Sequence, residues 1–166
     1  MEHDLSTTEE VNFASAQLTE VPIKLYENIW INIRSLNLDH NFLARIPSVL
    51  FHSIPQVKKL RLAHNYLEAI PPTIAECLQL ETLQLEHNCL VVLPHELKAL
   101  TKLQRLTLHY NILEVNDVLL DITLSLPTLK TITLNSNPIP KSVVKIIEWK
   151  CEHNTDFKKS PSTYYS

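Results

Sequence analysis

A short motif, Leu-x-Leu-x-x-Asn, returns at a nearly fixed interval along this chain, and such an interval decides architecture before any local preference is weighed. Aligned on asparagine, the copies read Leu36-Asn-Leu-Asp-His-Asn41, Leu60-Arg-Leu-Ala-His-Asn65, Leu83-Gln-Leu-Glu-His-Asn88, Leu106-Thr-Leu-His-Tyr-Asn111 and Ile132-Thr-Leu-Asn-Ser-Asn137. A weaker first copy, Val11-Asn-Phe-Ala-Ser-Ala16, carries alanine at the anchor. The anchors at 16, 41, 65, 88, 111 and 137 are 25, 24, 23, 23 and 26 residues apart. Within each copy, apolar residues alternate with polar ones, so one face of a short strand turns inward and the other meets solvent. A single unit cannot bury its leucines; stacking its neighbours on it closes the core. An asparagine turned inward after each strand would satisfy backbone groups of adjacent units, and its loss should cost about 1 to 3 kcal/mol for the partners left unsatisfied. Asn41, Asn65, Asn88, Asn111 and Asn137 therefore read as structural.

These residues match the pattern LxxLxLxxNxL, and over about 11 to 139 the chain resembles the leucine-rich-repeat family, whose units run 20 to 29 residues. The spacing is similar to that of the family's intracellular class, built on units of about 23 residues, which includes Ras-pathway and polarity scaffolds. At 166 residues the chain also resembles the family's short stand-alone members. The resemblance implies an α/β solenoid, with a curved parallel sheet on the concave face and short helices, 3-10 turns and extended legs on the convex face. One domain is expected over 1–153, with about six repeats in 8–139 and a capping helix at about 140–152. A flexible tail is expected over 154–166, where the sequence is polar.

The return legs carry Ile46-Pro47, Ile70-Pro71 and Leu93-Pro94, the last followed by Leu97, Leu100 and Leu103. Proline suits the first turn of a short helix. Fuller helices are expected in two longer legs, one with Leu25, Tyr26, Ile29 and Trp30 and one from Val118 to Leu126. Ala16 marks the first copy as an amino-terminal cap. At the other end, Val144, Ile147, Trp149 and Cys151 fall among charged residues between Lys141 and Glu152, as an amphipathic sealing helix would place them.

Composition excludes several function classes. The chain has no glycine, where average usage would give roughly a dozen. Glycine lets backbone approach phosphate closely, so a P-loop, a dinucleotide fingerprint and a GxSxG nucleophile elbow are all ruled out. A formal charge of -3 argues against the broad basic surface that neutralises phosphates, and so against nucleic acid as the partner. The start, Met1-Glu2-His3-Asp4, lacks the basic and apolar segments of a secretory signal, and no apolar run reaches the roughly 18 residues of a membrane span. Three scattered cysteines and the absence of any Asn-x-Ser/Thr sequon point to a reducing compartment, the cytoplasm first and the nucleus second.

The outward strand positions are where such a horseshoe presents a surface to a partner. Directly before the anchor stand His40, His64, His87 and Tyr110; one position earlier, Asp39, Glu86 and His109. Further back lie Lys59, Arg61, Gln84 and Arg105. These eleven residues form the candidate partner-binding strip. Parallel strands sit about 4.8 Å apart, so the histidines should form a contiguous column, and crowded imidazoles would repel one another once protonated. Imidazoles beside carboxylates suggest a zinc site, but column members on a gentle arc need not converge tetrahedrally, so no metal is assigned. Just after the anchor come Phe42, Tyr66, Cys89 and Ile112, with Val91 and Val92 close by. Either the following loop covers this column as ordinary packing or it is an exposed apolar rim that marks an interaction site.

An open curved surface supplies neither a nucleophile with its base nor a carboxylate pair in a pocket, so no catalytic residues and no cofactor are assigned. The expected function is that of a protein-binding adaptor, monomeric by itself, whose partner sits on the concave strand face. The alternatives are a subunit of an RNA-associated or cytoskeletal assembly and, behind these, a metal-binding protein using the histidine column.

Overall fold

In the computed structural model, residues 7–153 are described, and the tail expected over 154–166 lies outside them. Six three-residue strands form one parallel sheet in chain order: β1 (Glu10–Asn12), β2 (Ser35–Asn37), β3 (Lys59–Arg61), β4 (Thr82–Gln84), β5 (Arg105–Thr107) and β6 (Thr131–Thr133). The register follows the motif, pairing Leu36 with Leu60, Leu60 with Leu83, Leu83 with Leu106 and Leu106 with Ile132. Every repeat sits directly on its predecessor, and the chain is an α/β solenoid.

The alternation read from the sequence becomes an inner and an outer face. Leu36, Leu60, Leu83 and Leu106 are buried, as are Leu38, Leu62, Leu85 and Leu108 two positions on and Leu43, Leu67, Leu90 and Leu113 beyond the turn. One continuous apolar core runs from Val11 to Cys151. Burying a leucine contributes about 1.5 to 3 kcal/mol, and each repeat contributes several.

The return legs use the prolines as starting points. Leu50, Ile74 and Leu97 donate their backbone N–H groups to Pro47, Pro71 and Pro94, opening helix α1 (Val49–Ser53) and the 3-10 turns Pro72–Glu76 and His95–Ala99. Helix α2 (Asp117–Ser125) fills the longer fifth leg, where Asn116 caps it by accepting from the Leu119 N–H at 2.8 Å. Helix α3 (Lys141–Glu152) closes the array by burying Val144, Ile147 and Cys151 against the last repeat.

Two expectations need correction. The first leg is not a fuller helix: only Ile23–Leu25 forms a 3-10 turn, and Ile29 is exposed. Trp30 binds elsewhere, its ring N–H to the Lys24 carbonyl and its backbone N–H to the Ser53 carbonyl on the neighbouring leg. Those bonds, with the turn that the Ile33 N–H closes on the Trp30 carbonyl, hold the segment in a run of turns and override the helical spacing of its apolar residues. On α3, Trp149 takes no part in the seal; it is 52% exposed and stacks on His153 at 4.6 Å.

Candidate functional site

The site is built on the turns that end the strands. Ser15, His40, His64, His87, Tyr110 and Ser136 all adopt left-handed backbone, with φ between 54° and 59°. Glycine normally takes such positions, and a residue with a Cβ incurs roughly 1 to 2 kcal/mol there. Histidine is among the side chains that tolerate it best. With no glycine in the chain, the next residue must hold the turn, and it is the anchor asparagine.

Each anchor does so through its carboxamide. The Asn65 Oδ1 accepts from the Leu43 N–H at 3.1 Å, while its Nδ2 donates to the carbonyls of Leu38 in the preceding repeat and Leu62 in its own. Asn88 and Asn111 repeat this bridge one repeat on each time. Asn137, half-buried, ties Leu113, Leu108 and Leu134. At the amino-terminal end, Asn41 Oδ1 accepts from Ala16 and Leu18, so the second repeat supplies the bond that Ala16 cannot.

Identical turn geometry points the preceding side chains in one direction. The rings of His40 and His64 stack at 4.2 Å, those of His64 and His87 at 4.2 Å, and those of His87 and Tyr110 at 4.3 Å, all within 15° of parallel. The result is a four-ring column across β2 to β5, with His109 meeting it edge-on and bound to the Thr133 hydroxyl at 2.9 Å. Burial, then the neighbouring His40 and His87 rings, holds His64 below the ordinary imidazole range. Among the described residues, no three histidine, cysteine or carboxylate side chains come together as a metal ion would require.

The rim beyond the anchors is exposed. Phe42, Tyr66 and Ile112 are 51%, 55% and 51% accessible, Cys89 is half-buried, and the neighbouring Val91, Val92 and Val115 also face solvent. Among the described residues, no loop covers the column. The Phe42 and Tyr66 rings lie 14° from parallel at 6.3 Å, and between this rim and the ring column runs a shallow groove of about 350 Å³.

The remaining strip residues divide by their bonds. Asp39 is half-buried and accepts the Ala63 N–H at 2.8 Å; burial raises its pKa above the ordinary carboxyl value, although that hydrogen bond pulls the other way. Glu86 accepts from the Thr107 hydroxyl and from the Gln84 amide. Both acids are thus engaged within the protein. Lys59, Arg61 and Arg105 extend into solvent from β3 and β5.

The structure adds a second polar surface that the sequence pattern did not signal. On the helical side, His52 meets Glu76 at 3.1 Å, while His95 and Lys98 converge on Asp121 at 2.8 and 3.6 Å. The hydrogen bond from His95, followed by that from Ser125, holds the Asp121 carboxyl below its usual range. These partners are 24 and 26 residues apart, close to one repeat, and only the register of the legs brings them together. Cys77 and Cys151 are buried, and burial pushes their thiols up to about 12 and about 11, which leaves them inert at neutral pH.

A sequence model of the leucine rich repeat matches residues 31–79 and 55–113. Among solved structures, a leucine-rich-repeat protein of Leptospira interrogans is 27% identical, with a TM-score of 0.68 over 83% of this chain and 33% of its own. The BIR3–SERK2 complex from Arabidopsis thaliana contains a similar chain, 30% identical, with a TM-score of 0.64 over 78% of this chain and 68% of that one. The BIR2 ectodomain, also from Arabidopsis thaliana, is 26% identical, with a TM-score of 0.60 over 73% and 62%. The chain spans about a third of the Leptospira protein's length and somewhat under two thirds of the BIR2 ectodomain's. Among curated protein sequences none matches.

Proposed function

Because the chain belongs to the leucine-rich-repeat family, we propose that it is a protein-binding adaptor whose partner docks on the concave strand face and its exposed apolar rim. One observation carries this reading: the columns on either side of the asparagines hold exposed rings, and β3 and β5 beside them hold exposed cations, that the fold does not consume. Phe42 and Tyr66 are the anchor residues, since exposed aromatics that stack on one another give a partner apolar area at little entropic cost. His40, His64, His87 and Tyr110 form the polar wall beside them. That one relative was solved in a complex with another protein supports the same use of the fold. The strip acts by recognition: Asp39 and Glu86 are bonded to a backbone N–H, a hydroxyl and an amide, and the His109 imidazole and Thr133 hydroxyl meet on an open strand face, where no enclosing walls would hold a reacting group.

The partner is a protein of the cytoplasm or nucleus, where three free thiols persist without oxidation. Affinity purification from the native cell tests the docking face. The intact chain is compared with a variant carrying Lys59→Ala, Arg61→Ala, Gln84→Ala, Arg105→Ala and Tyr110→Ala. Partners recovered by the intact chain and lost from the variant are expected; equal recovery by both would remove the concave face from the account.

A further inference from the structure

The strip residues are mixed in sign, but their bonds separate them. Asp39 and Glu86 accept hydrogen bonds from Ala63, Gln84 and Thr107, which fix their carboxylates in place without neutralising them. Among the described residues, none of Lys59, Arg61 and Arg105 has a carboxylate within ion-pair distance. Register fixes how these cations sit. Lys59 and Arg105 both pair with Thr82, so they stand at one level two strands apart, about 9 to 10 Å. Arg61 lies two residues along β3 from Lys59, about 7 Å away on the same face. The outward positions beside them, Asn37, Thr82 and Gln84, are uncharged.

The wider face follows. Among the twelve outward strand positions there are three cations and one carboxylate, Glu10 on the edge strand, a net of +2; Asp39 and Glu86 follow two residues beyond Asn37 and Gln84 on the same face, so the positive sign belongs to its entry half. Along the entry edge of the sheet, Arg34, Lys58 and Lys130 stand against Glu9 and Glu81, a further +1. Asp39 and Glu86 put the negative charge of this face at its exit end, beside the His64 ring. A charge distribution sorted in this way steers a partner of opposite sign to the face and repels one of the same sign.

Resting on the docking face proposed above, we propose that the segment it receives is an acidic stretch of protein, with carboxylates spaced to meet Lys59, Arg61 and Arg105. The two guanidinium groups present planar forks that take a carboxylate through two parallel hydrogen bonds, which fixes the segment's path as well as its charge. A protein segment fits better than a nucleic acid. Binding of nucleic acid typically draws on 6 to 10 phosphate contacts, more than three isolated cations provide. The adjoining Phe42 and Tyr66 rim adds apolar area that an acidic segment with a neighbouring hydrophobic residue can bury.

Selection of displayed random 12-residue peptides on the intact chain tests this. Enriched peptides are expected to be net negative, to lose at least tenfold in affinity for an Arg61→Glu, Arg105→Glu variant, and to weaken as salt rises. Exchanging the peptide's own Glu for Lys should restore binding to that variant, and the exposed positions should leave its unfolding temperature unchanged. Neutral or basic enriched peptides that are lost from the five-residue strip variant would overturn the acidic assignment while leaving the docking face standing. No enrichment, or peptides that bind the strip variant equally, would overturn both. A 12-nucleotide oligouridylate that bound more tightly than the selected peptides would overturn the assignment in favour of nucleic acid.

Discussion

At each turn three neighbouring columns leave the same backbone and meet different fates. The asparagine column is buried and makes its bonds inward, bridging successive repeats. The ring column before it and the Phe42 column after it share its geometry but face solvent. Adjacency in sequence therefore says little about role. The middle column holds the solenoid together, and its neighbours can vary with the partner while the fold stays the same.

The contrast is testable by substitution, beginning where the expected effect is largest. Asn65→Ala should leave the Leu43 N–H unsatisfied in the core and remove one of the two bonds at each of the Leu38 and Leu62 carbonyls, which Asn41 and Asn88 still reach, at a cost of about 1 to 3 kcal/mol. That corresponds to a fall of roughly 2 to 12 °C in melting temperature for a chain of this size. A fall of less than about 1 °C would mean that the column does not bear the fold. The double change Phe42→Ala, Tyr66→Ala should cost below about 1 kcal/mol, since both side chains are half in solvent, yet abolish partner recovery. The reverse pattern, with lost stability and intact recovery, would make the rim ordinary packing.

The smallest effect concerns pH. His64 titrates below the ordinary imidazole value because of burial and its flanking rings, so the folded state binds a proton less readily than the unfolded chain. Stability from this group is therefore complete above about pH 6.5 and is lost as pH falls from there through the folded pKa. Exposure of the ring keeps the change modest. Chemical denaturation between pH 7.5 and 5.5 should show the slope, reduced in His64→Ala. An identical slope in both proteins would place the sensitivity elsewhere, with Asp39, Glu86, Arg61, His40, His87, His109 and Tyr110 being the other groups around the column.

How legible this was depended on period. Helix α3 followed from its own amphipathic spacing, while the strands and the core ladder followed from a motif that repeats, because stacking makes one register satisfy every unit at once. The asparagine bridges followed for the same reason. Features that depend on contacts between units and do not repeat were not legible. Tyr26, Ile29 and Trp30 have helical spacing, but the Trp30 bond to Ser53 on the neighbouring leg, with a local one to Lys24, decided their path. Exposure of Phe42 and Tyr66 depended on whether the next loop turned over them, which the spacing leaves open. The engagement of Asp39 and Glu86 was invisible too: each depends on a neighbour 21 or 24 residues away, and only the folded register supplies it.

Hydrogen exchange of the isolated chain and of the chain bound to its recovered partner tests the central claim most directly. Binding on the strand face predicts added protection in 35–42, 59–66, 82–89 and 105–112, with the helical legs unchanged. Protection confined to the 3-10 turn His95–Ala99, α2 or α3 would contradict it, and would move the working surface to the opposite side of the solenoid.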